Sequence, residues 1–484
     1  MVELALPSRI VILGCGSVAQ CLLPLMLDHF SLDPTSVTII ESLDHRERVA
    51  EELERGVQYV RHEISPDNLV HTLSTYLGHG DVLIDLAWNI DLSELLDWCR
   101  DHGVRYLNTS VEVWDPYQDP ALVSPQERTL YWRHMALRRQ IASWGDNRGP
   151  SAVVEHGANP GLVSHFTKQA LVELGERSLR DGVADAVRPL IERALGDEVF
   201  NELARLLDVK VIHVAERDTQ VTNVPKQPGE FVNTWSVDGF YEEGVAPAEM
   251  GWGTHERALP DLGRVHEGEG PRNQICLAQM AHKTLVRSRV PSGDIIGMVI
   301  RHGEAFTISD YLTVWEGDEA LYRPTVHYAY CPSDAAWASF VELEGTQYRY
   351  PERQRILNDD IVSGRDELGV LLMGHRYKAW WTGMLTSIEE ARRVAPHQSA
   401  TTVQVAASIL GALDWLLRSP NEGVRVPDEL PWHDVLQVAT PYVGTTWSGP
   451  IDWDPLSTRA DWFDRWSGRQ LDASDPWQFQ NFLA

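Results

Sequence analysis

A glycine motif near the N-terminus carries the clearest chemistry in this sequence. Residues 14–19, GCGSVA, fit the pattern G-x-G-x-x-G/A and stand between a predicted buried strand and a predicted helix. Glycines at these spacings let the backbone approach a pyrophosphate, while a helix N-terminus supplies amide donors and a favourable dipole. Glu41 ends the next predicted strand, where an acid hydrogen-bonds a ribose 2′-hydroxyl and repels a 2′-phosphate. The pattern predicts an NAD site rather than an NADP site, and the alternative is a glycine turn that binds nothing.

Three polar loops are predicted to complete this nucleotide site. They span residues 87–91, 108–112 and 156–161, and each follows a predicted strand. A nicotinamide lies beyond the carboxyl ends of the strands, where Asn and Thr side chains can hydrogen-bond its ribose or carboxamide. Any one of these loops could be an ordinary polar strand end, but the coincidence of three favours function. The predicted cofactor contacts are Gly14, Gly16, Ser17, Val18, Glu41, Ala87, Asn89, Asn108, Thr109, Asn159 and Gly161.

Aromatic and acidic side chains in the middle of the chain could hold a cation. Residues 235–243, WSVDGFYEE, place a tryptophan near carboxylates, and a ring face with carboxylates suits an ammonium or iminium ion. A surface segment with solvated acids explains the same composition, and composition alone favours that interpretation. His302 is a candidate for proton transfer near neutral pH, although a single His more often has a structural role. For Glu216, an ion pair with the adjacent Arg217 is the simpler explanation.

The elements that would position these residues alternate between strand and helix in the first part of the chain. The predicted strands there are 9–13, 36–40, 57–62, 81–86, 105–107 and 152–155. Such alternation predicts an α/β fold with an N-terminal Rossmann-like, doubly wound parallel sheet. We expect the NAD-binding domain to span residues 1–155 and to be joined by a later apolar helix near 401–417.

The middle of the chain is less regular and predicts a mixed α+β domain. The strands predicted there are 211–215, 219–224, 295–301, 305–311 and 326–330, and the Gly- and Pro-rich residues 260–275 are predicted to form a loop. We expect residues 156–400 to form a substrate-binding and dimerisation domain. The Trp-rich C-terminal segment, residues 418–484, is expected to pack on the body of the protein.

The composition narrows the functional classes. A formal net charge of −28 disfavours nucleic-acid binding, because a phosphate backbone would be repelled, and it would attract cationic small molecules. The longest apolar runs are strand-sized, so we expect no membrane span, and the N-terminus lacks the pattern of a signal peptide, which predicts the cytoplasm. Five cysteines without zinc or redox spacing predict packing thiols and no metal site.

Several longer stretches resemble the bacterial homospermidine synthases, within the wider saccharopine dehydrogenase-like group. The matching stretches are ILGCGSVAQ, VLIDLAWNID, YLNTSVEVW, HGANPGLVSHF, VIHVAERDTQ, NTWSVDGFYEEG and IRHGEAF. The helix near 401–417 and the Trp-rich tail also look like this family, so the resemblance covers nearly the whole chain. The glycine loop identifies only the superfamily, whereas the later stretches are far more specific.

The resemblance implies roles that composition leaves open. It places Trp235 at a cation–π face, Glu243 and His302 in a diamine pocket, and Asn159 near the nicotinamide. On the substrate path or pocket wall it implies Asp91, Glu112, Glu216, Glu304 and Asp366. It further implies a homodimer.

The activity implied by the resemblance is aminobutyl transfer, by which two putrescine molecules give homospermidine and ammonia. Hydride abstraction would leave an iminium ion, a second putrescine would replace ammonia, and re-reduction would regenerate NAD, which would act as a prosthetic group. Spermidine, diaminopropane or cadaverine could enter the same acidic pocket, and a monovalent cation such as potassium could take part. Two alternatives are a saccharopine-type NAD-dependent amino-acid oxidoreductase, which would need arginines for substrate carboxylates, and a non-catalytic NAD-binding regulator.

Overall fold

The computed structural model describes residues 4, 6–115, 122–459, 462–463 and 471–484. The predicted segments 1–155 and 418–484 both extend over positions that lie outside these residues. In the described part, the strands are β1 (Ile10–Leu13), β2 (Val37–Glu41), β3 (Gln58–Arg61), β4 (Val82–Asp85), β5 (Arg105–Asn108), β6 (Ala152–Val153), β7 (Val211–Asp218), β8 (Val221–Thr222), β9 (Glu230–Asn233), β10 (Pro247–Gly251), β11 (Gly263–Val265), β12 (Gln274–Met280), β13 (Leu285–Val290), β14 (Gly293–Met298), β15 (Val314–Glu316), β16 (Glu319–Tyr322), β17 (Thr325–Cys331), β18 (Arg353–Ile356), β19 (Ile361–Ser363), β20 (Arg365–Met373), β21 (Ala379–Ser387), β22 (Val424–Arg425) and β23 (Thr446–Ile451). The helices are α1 (Ser17–His29), α2 (Ala50–Arg55), α3 (Leu69–Tyr76), α4 (Leu92–His102), α5 (Leu130–Ser143), α6 (Leu162–Asp181), α7 (Arg188–Gly196), α8 (Phe200–Leu206), α9 (Val237–Val245), α10 (Glu304–Tyr311), α11 (Asp334–Gly345), α12 (Ile388–Val394), α13 (Ala400–Arg418), α14 (Trp432–Ala439) and α15 (Phe479–Phe482).

The N-terminal sheet is parallel and doubly wound. Across the described residues it has seven strands in the order β22–β6–β5–β4–β1–β2–β3, so the strand order reverses beside β1. In register, Leu13 pairs with Ile40 and with Asp85, and Asp85 pairs with Asn108, so the carboxyl ends of these strands meet at one edge. Ligands of open α/β sheets bind at such a reversal, beyond the carboxyl ends of the strands. The predicted Rossmann-like sheet is confirmed.

The second sheet is mixed, as predicted. Its ten strands in the described chain follow the order β11–β12–β10–β17–β7–β20–β21–β23, with the hairpin β13–β14 attached to β17. The central strand β7 runs parallel to β17 and antiparallel to β20. β7 and β20 also bring three carboxylates together, because Asp218 pairs with Asp366 in register and Glu216 lies two residues before Asp218.

Helix α13 lies in the core between the two sheets. It packs against α1 of the N-terminal domain and against β20 and β21 of the mixed sheet. Among the described residues, it is the one helix long and apolar enough to cross a membrane, and 89% of its most apolar stretch is buried inside the protein. It is therefore a core helix that joins the two halves of the molecule.

Three sequence predictions about secondary structure were wrong. Residues 305–311 form α10 instead of a strand, because every residue from Glu304 to Ser309 is buried and a short, fully buried run carries no periodicity to separate helix from strand. The predicted loop 260–275 contains β11 and the start of β12. The edge strand β22 was missed, since a two-residue strand leaves no pattern in the sequence.

Candidate active site

A cavity of about 650 Å³ lies between the carboxyl edge of the parallel sheet and the acidic face of the mixed sheet. We call it the central cavity. Fourteen predicted site residues line it: Gly14, Gly16, Ser17, Val18, Glu41, Ala87, Asn89, Thr109, Glu112, Asn159, Glu216, Trp235, Glu243 and His302. Five others, Asp91, Asn108, Gly161, Glu304 and Asp366, are not among its lining residues. The volume is within the usual range for ligand sites, and both domains contribute to its wall.

The glycine loop has the geometry that a dinucleotide requires. Gly14 has φ +86°, and a Cβ there would stand 2.9 Å from the carbonyl oxygen of Leu86. Gly16 precedes α1, and a Cβ on it would meet no described atom within 4 Å, so its backbone opens on the cavity. The carboxylate of Glu41 accepts a hydrogen bond of 2.6 Å from the amide of Cys15. These residues fit a pyrophosphate at the helix N-terminus and an acid at the adjacent ribose.

Three of the five residues outside the lining position the backbone around it. Asp91 is the N-cap of α4 and accepts hydrogen bonds from the amides of Ser93 and Glu94. The amide side chain of Asn108 accepts from the backbone N–H of Glu155 at 2.9 Å and so ties two strand ends together. Gly161 has φ +130° and precedes α6. The structure gives these three residues contacts within the protein, and their predicted substrate and cofactor contacts stay predictions.

Asn159 and Trp235 both line the cavity. The Asn159 side chain is near the Tyr328 hydroxyl, and its Nδ2 atom is buried. The indole N–H of Trp235 donates to the hydroxyl of Tyr330 at 3.3 Å, which fixes the ring from its edge. Phe240 supports the same ring at a centroid distance of 5.7 Å. The indole is partly buried and contributes to the cavity lining, as a cation–π partner must.

His302 is held between two carboxylates. Its Nε2 atom lies 3.0 Å from Glu243 Oε2, and its Nδ1 atom lies 3.2 Å from Glu304 Oε2. Burial would lower the pKa of His302, but Glu243 and Glu304 outweigh it and raise the pKa well above its ordinary value. The two carboxylates therefore favour the protonated, charged form of the ring. Glu304, although outside the cavity lining, orients the ring that faces the cavity.

A second ion-pair group stands beside the first. Glu242 accepts from Arg133 at 2.6 Å and from Arg301 at 2.5 Å, and the indole N–H of Trp88 approaches it at 3.4 Å. Burial would raise the pKa of Glu242, but Arg301 and Arg133 reverse the effect and lower it to about 2. Sequence analysis did not predict either arginine. The sequence feature that could have indicated Arg301 is its position directly before His302.

Three carboxylates lie together where β7 pairs with β20, and one of them, Glu216, lines the cavity. The Tyr328 hydroxyl donates to Glu216, and Thr401 donates to Asp366 at 2.5 Å. Burial raises the pKa of Glu216 to about 8 and that of Asp218 to about 6, and it raises the pKa of Asp366 well above the ordinary range. Glu216 thus contacts Tyr328, whereas the sequence favoured an ion pair with Arg217. Burial therefore favours the protonated form of these carboxyl groups, and a cation bound beside them would favour release of a proton.

Glu112 supplies a further carboxylate to the cavity wall. It accepts from the Ser110 hydroxyl at 2.8 Å, while its Oε2 atom is buried and has no hydrogen-bond partner within the described chain. Burial, with the nearby Glu242 carboxylate, raises the pKa of Glu112 to about 7. The Oε2 atom of Glu112 can therefore accept a hydrogen bond from a group outside its own loop.

A buried Glu–His pair was not predicted from the sequence motifs. Glu155 lines the cavity at the end of β6, has φ +61°, and contacts His134 Nε2 at 2.7 Å. Its carboxylate packs against Gly303, where an added Cβ would overlap it. A residue other than glycine at positive φ costs about 1–3 kcal/mol and is kept where the surroundings impose it. Glu155 thus joins the NAD side of the cavity to the loop that carries His302.

Comparison with known families agrees with this architecture. Residues 10–153 match the family described as saccharopine dehydrogenase NADP binding domain, and residues 157–445 match the saccharopine dehydrogenase C-terminal domain. The two matches meet where the parallel sheet passes into the mixed domain. A solved structure of apo saccharopine dehydrogenase (L-Glu forming) from Saccharomyces cerevisiae shares the fold, with a TM-score of 0.50 and 10% identity over 91% of this chain and all of that one.

Closer relatives match almost the full length of the chain. A homospermidine synthase from Blastochloris viridis is 40% identical over 98% of this chain and 97% of its own. One from Mesorhizobium japonicum is 38% identical over 98% of this chain and 96% of its own. The crystal structure of the homospermidine synthase from Legionella pneumophila in complex with NAD has a TM-score of 0.87 and 37% identity, covering 99% and 98% of the two chains. This chain belongs to the homospermidine synthase family, within the saccharopine dehydrogenase-like group.

Proposed function

We propose that this enzyme transfers an aminobutyl group between two putrescine molecules, giving homospermidine and ammonia, with NAD as a cofactor that is regenerated in each cycle. The observation that carries the proposal is the central cavity, where a nucleotide-type glycine loop and an imidazolium between carboxylates line one space. The near full-length relatives named homospermidine synthase support it. The net charge of −28 favours attraction of a dicationic amine.

The cofactor site that we propose uses the glycine loop and the acid at the end of β2. Gly14, Gly16 and the N-terminus of α1 would hold the pyrophosphate, and Glu41 would hold the ribose. Ser17, Val18, Ala87, Asn89 and Thr109 line the same part of the cavity. NAD supplies a hydride acceptor, and in its reduced form a hydride donor, so no net oxidation results.

We assign proton transfer to Glu243 and His302. A charged His302 can give a proton to the departing ammonia, and the resulting neutral ring can accept one from the attacking amine. Glu243, at 3.0 Å, stabilises the charged ring and faces the cavity. Glu304 keeps the ring in place from its other nitrogen. The two carboxylates therefore tune and orient a single acid–base group.

We assign cation recognition to Trp235 and the carboxylates of the cavity wall. The substrate is a cation, and its oxidised form is an iminium ion, so an aromatic face stabilises the reacting carbon as charge develops. Glu216, with Asp366 behind it, is suited to hold the second ammonium, because the group releases a proton when a cation binds. Glu112 and Asn159 would contact the substrate or the carboxamide from the other wall.

The amino-acid oxidoreductase alternative needs arginines for a substrate carboxylate. Two arginines do line the cavity, but Arg133 and Arg301 both direct guanidinium nitrogens to Glu242. This pairing favours a diamine over an amino acid. A non-catalytic NAD-binding protein would have no need of a charged histidine facing the same cavity, so the enzymatic proposal is preferred.

The homodimer, the cytoplasmic location, a monovalent cation such as potassium, and the choice among putrescine, spermidine, diaminopropane and cadaverine stay predictions. So do the domain bounds at residues 155 and 400. Sedimentation of the purified protein tests the dimer, and turnover with each amine, with and without potassium, tests the choice of amine and the role of the cation.

The experiment that tests the function is mass spectrometry of purified protein with putrescine and NAD⁺, with absorbance followed for NADH. We expect homospermidine and ammonia without accumulation of NADH. Accumulation of NADH with an aldehyde or cyclic imine would contradict the transfer half of the reaction. Retention of NAD with no turnover of putrescine would favour the non-catalytic alternative.

A further inference from the structure

Glu242 is the centre of a buried ion-pair group that the proposed reaction does not use. The side chain of Glu242 is 5% exposed, that of Arg133 is 12% exposed and that of Arg301 is 7% exposed. Three separate elements supply the group: α9 carries Glu242, α5 carries Arg133, and Arg301 stands in the loop between β14 and α10. All three residues line the central cavity. The group therefore forms part of the wall that a substrate would contact.

The group holds two positive charges against one negative charge. Arginine binds carboxylates through paired N–H donors, and such charge-assisted bonds are the strong ones in a partly dry site. Two neighbouring guanidinium groups at a cavity wall would make a site for the carboxylate of a ligand. In this structure Glu242 takes that position, and both arginines direct their Nη2 atoms to the same oxygen, Oε1.

The remaining contacts of the arginines strengthen this arrangement. Arg133 Nη1 donates to the carbonyl of Val111 at 2.7 Å, and Arg301 Nη1 donates to the carbonyl of Arg128 at 3.2 Å. These bonds fix both guanidinium groups at the wall independently of Glu242. Removal of the Glu242 charge would therefore leave two positioned cations next to the cavity, rather than two mobile side chains.

We infer that Glu242 makes the site selective for diamines by occupying the two arginines that would otherwise bind the carboxylate of an ω-amino acid. The excluded class has an amine at one end and a carboxylate at the other, and 4-aminobutyrate is its simplest member of similar length to putrescine. The amine end of such a ligand meets the same Trp235, Glu243 and His302 as putrescine does. The inference rests on the proposed function, since it assumes that this cavity receives the diamine.

The test is binding of 4-aminobutyrate to the NAD-loaded protein, measured by calorimetry, together with its inhibition of putrescine turnover. The variant is Glu242→Gln, which keeps the shape of the side chain and removes its charge. The matched control is Asp238→Asn, which removes one negative charge from another cavity-lining residue of α9 and leaves the arginines paired with Glu242. We expect Glu242→Gln to bind 4-aminobutyrate at least tenfold more tightly than the wild type and Asp238→Asn to differ from the wild type by less than threefold.

Equal gains in the two variants would overturn the inference, because a general loss of negative charge would then explain them. No gain in a folded Glu242→Gln protein would overturn it as well. If that variant does not fold, the double variant Glu242→Gln/Arg133→Gln is measured instead. It keeps the net charge of the group and removes the Glu242 carboxylate from Arg301. We expect an intermediate gain there, and an affinity equal to the wild type would contradict the inference. Failure of the wild type to convert putrescine would instead overturn the proposed function, since the calorimetric comparison does not depend on turnover.

Discussion

Glu243 and His302 contact each other at 3.0 Å, and one residue earlier along each segment Glu242 and Arg301 contact each other at 2.5 Å. Two parallel ion pairs thus join α9 to the loop that enters α10. The first pair belongs to the cavity chemistry and the second fixes the backbone on which that chemistry depends. The two pairs together hold His302, in the loop between β14 and α10, in a defined orientation.

Replacement of His302 by Gln is expected to lower the rate of homospermidine formation by about 10²–10⁴-fold, the usual contribution of a positioned acid–base group. Gln keeps a similar volume and can hydrogen-bond but cannot carry the charge. Steady-state rates with putrescine measure the loss, and calorimetry checks that NAD still binds. His397→Gln is the control, because His397 contacts Asp359 at an exposed position. A variant at 302 that keeps more than a tenth of the wild-type rate would contradict the role.

Replacement of Trp235 by Ala should reduce turnover about thirtyfold, since a cation–π contact in a desolvated site contributes about 2 kcal/mol. Trp235→Phe keeps an aromatic face but loses the N–H bond to Tyr330, so it should lie between Ala and the wild type. The ratio of the two variants separates the ring from its hydrogen bond. Wild-type turnover in purified Trp235→Ala would show that the ring does not stabilise the reacting cation.

Local patterns allowed the nucleotide half of the site to be predicted. The glycine loop and Glu41 carry their chemistry in a continuous strand–turn–helix–strand segment, so spacing alone indicates their positions. Residue types made Trp235, Glu243 and His302 candidates, but only the family resemblance favoured a functional role over a structural one. Their own composition favoured a solvated surface segment, since an aromatic next to acids has no periodicity that marks a pocket.

Long-range contacts could not be predicted. Arg133 and Glu242 stand 109 residues apart, and Glu155 meets Gly303 across the domain boundary, so no local spacing reveals either pair. Asp91 shows that one residue in the sequence can have two explanations. An acid just before a helix is explained by capping, and the structure uses its carboxylate for two backbone amides. Helix capping competes with function for the same residue types.

Glu216 should make the stability of the protein depend on pH. In the unfolded chain a glutamate loses its proton near pH 4.5, whereas burial holds the folded pKa at about 8. Between these values the folded state binds the extra proton, so the free energy of unfolding falls as pH rises, by at most about 1.4 kcal/mol per pH unit for one group. Glu216→Gln should flatten this fall, measured by urea unfolding at pH 5, 6.5 and 8. An exposed control, Glu176→Gln, should retain the wild-type slope. If Glu216→Gln also retains it, the buried carboxylate does not carry the effect.

Gly303→Ala should damage the site through overlap with Glu155. A Cβ at residue 303 would collide with a carboxylate that His134 holds at 2.7 Å, so the His302 loop must move. Overpacking of this kind costs about 1–3 kcal/mol, and we expect at least a tenfold loss of kcat/KM for putrescine with NAD affinity retained. Gly196→Ala is the control, because a Cβ there meets no described atom within 4 Å. Unchanged kinetics in Gly303→Ala would mean that Glu155 yields without moving the loop.

Glu41 should decide between NAD and NADP. Its carboxylate stands at the end of β2 and accepts from the amide of Cys15, so a negative charge is fixed beside the glycine loop. A 2′-phosphate would meet that charge, whereas a free 2′-hydroxyl can donate to it. Glu41→Ala should therefore weaken NAD binding and reduce the preference for NAD over NADP by at least tenfold, about 1.4 kcal/mol. Calorimetry with both dinucleotides measures the preference, and Glu63→Ala, a second acid on the cavity wall, is the control. An unchanged preference in Glu41→Ala would show that the acid serves only the loop hydrogen bond, and that cofactor choice is set elsewhere in the cavity.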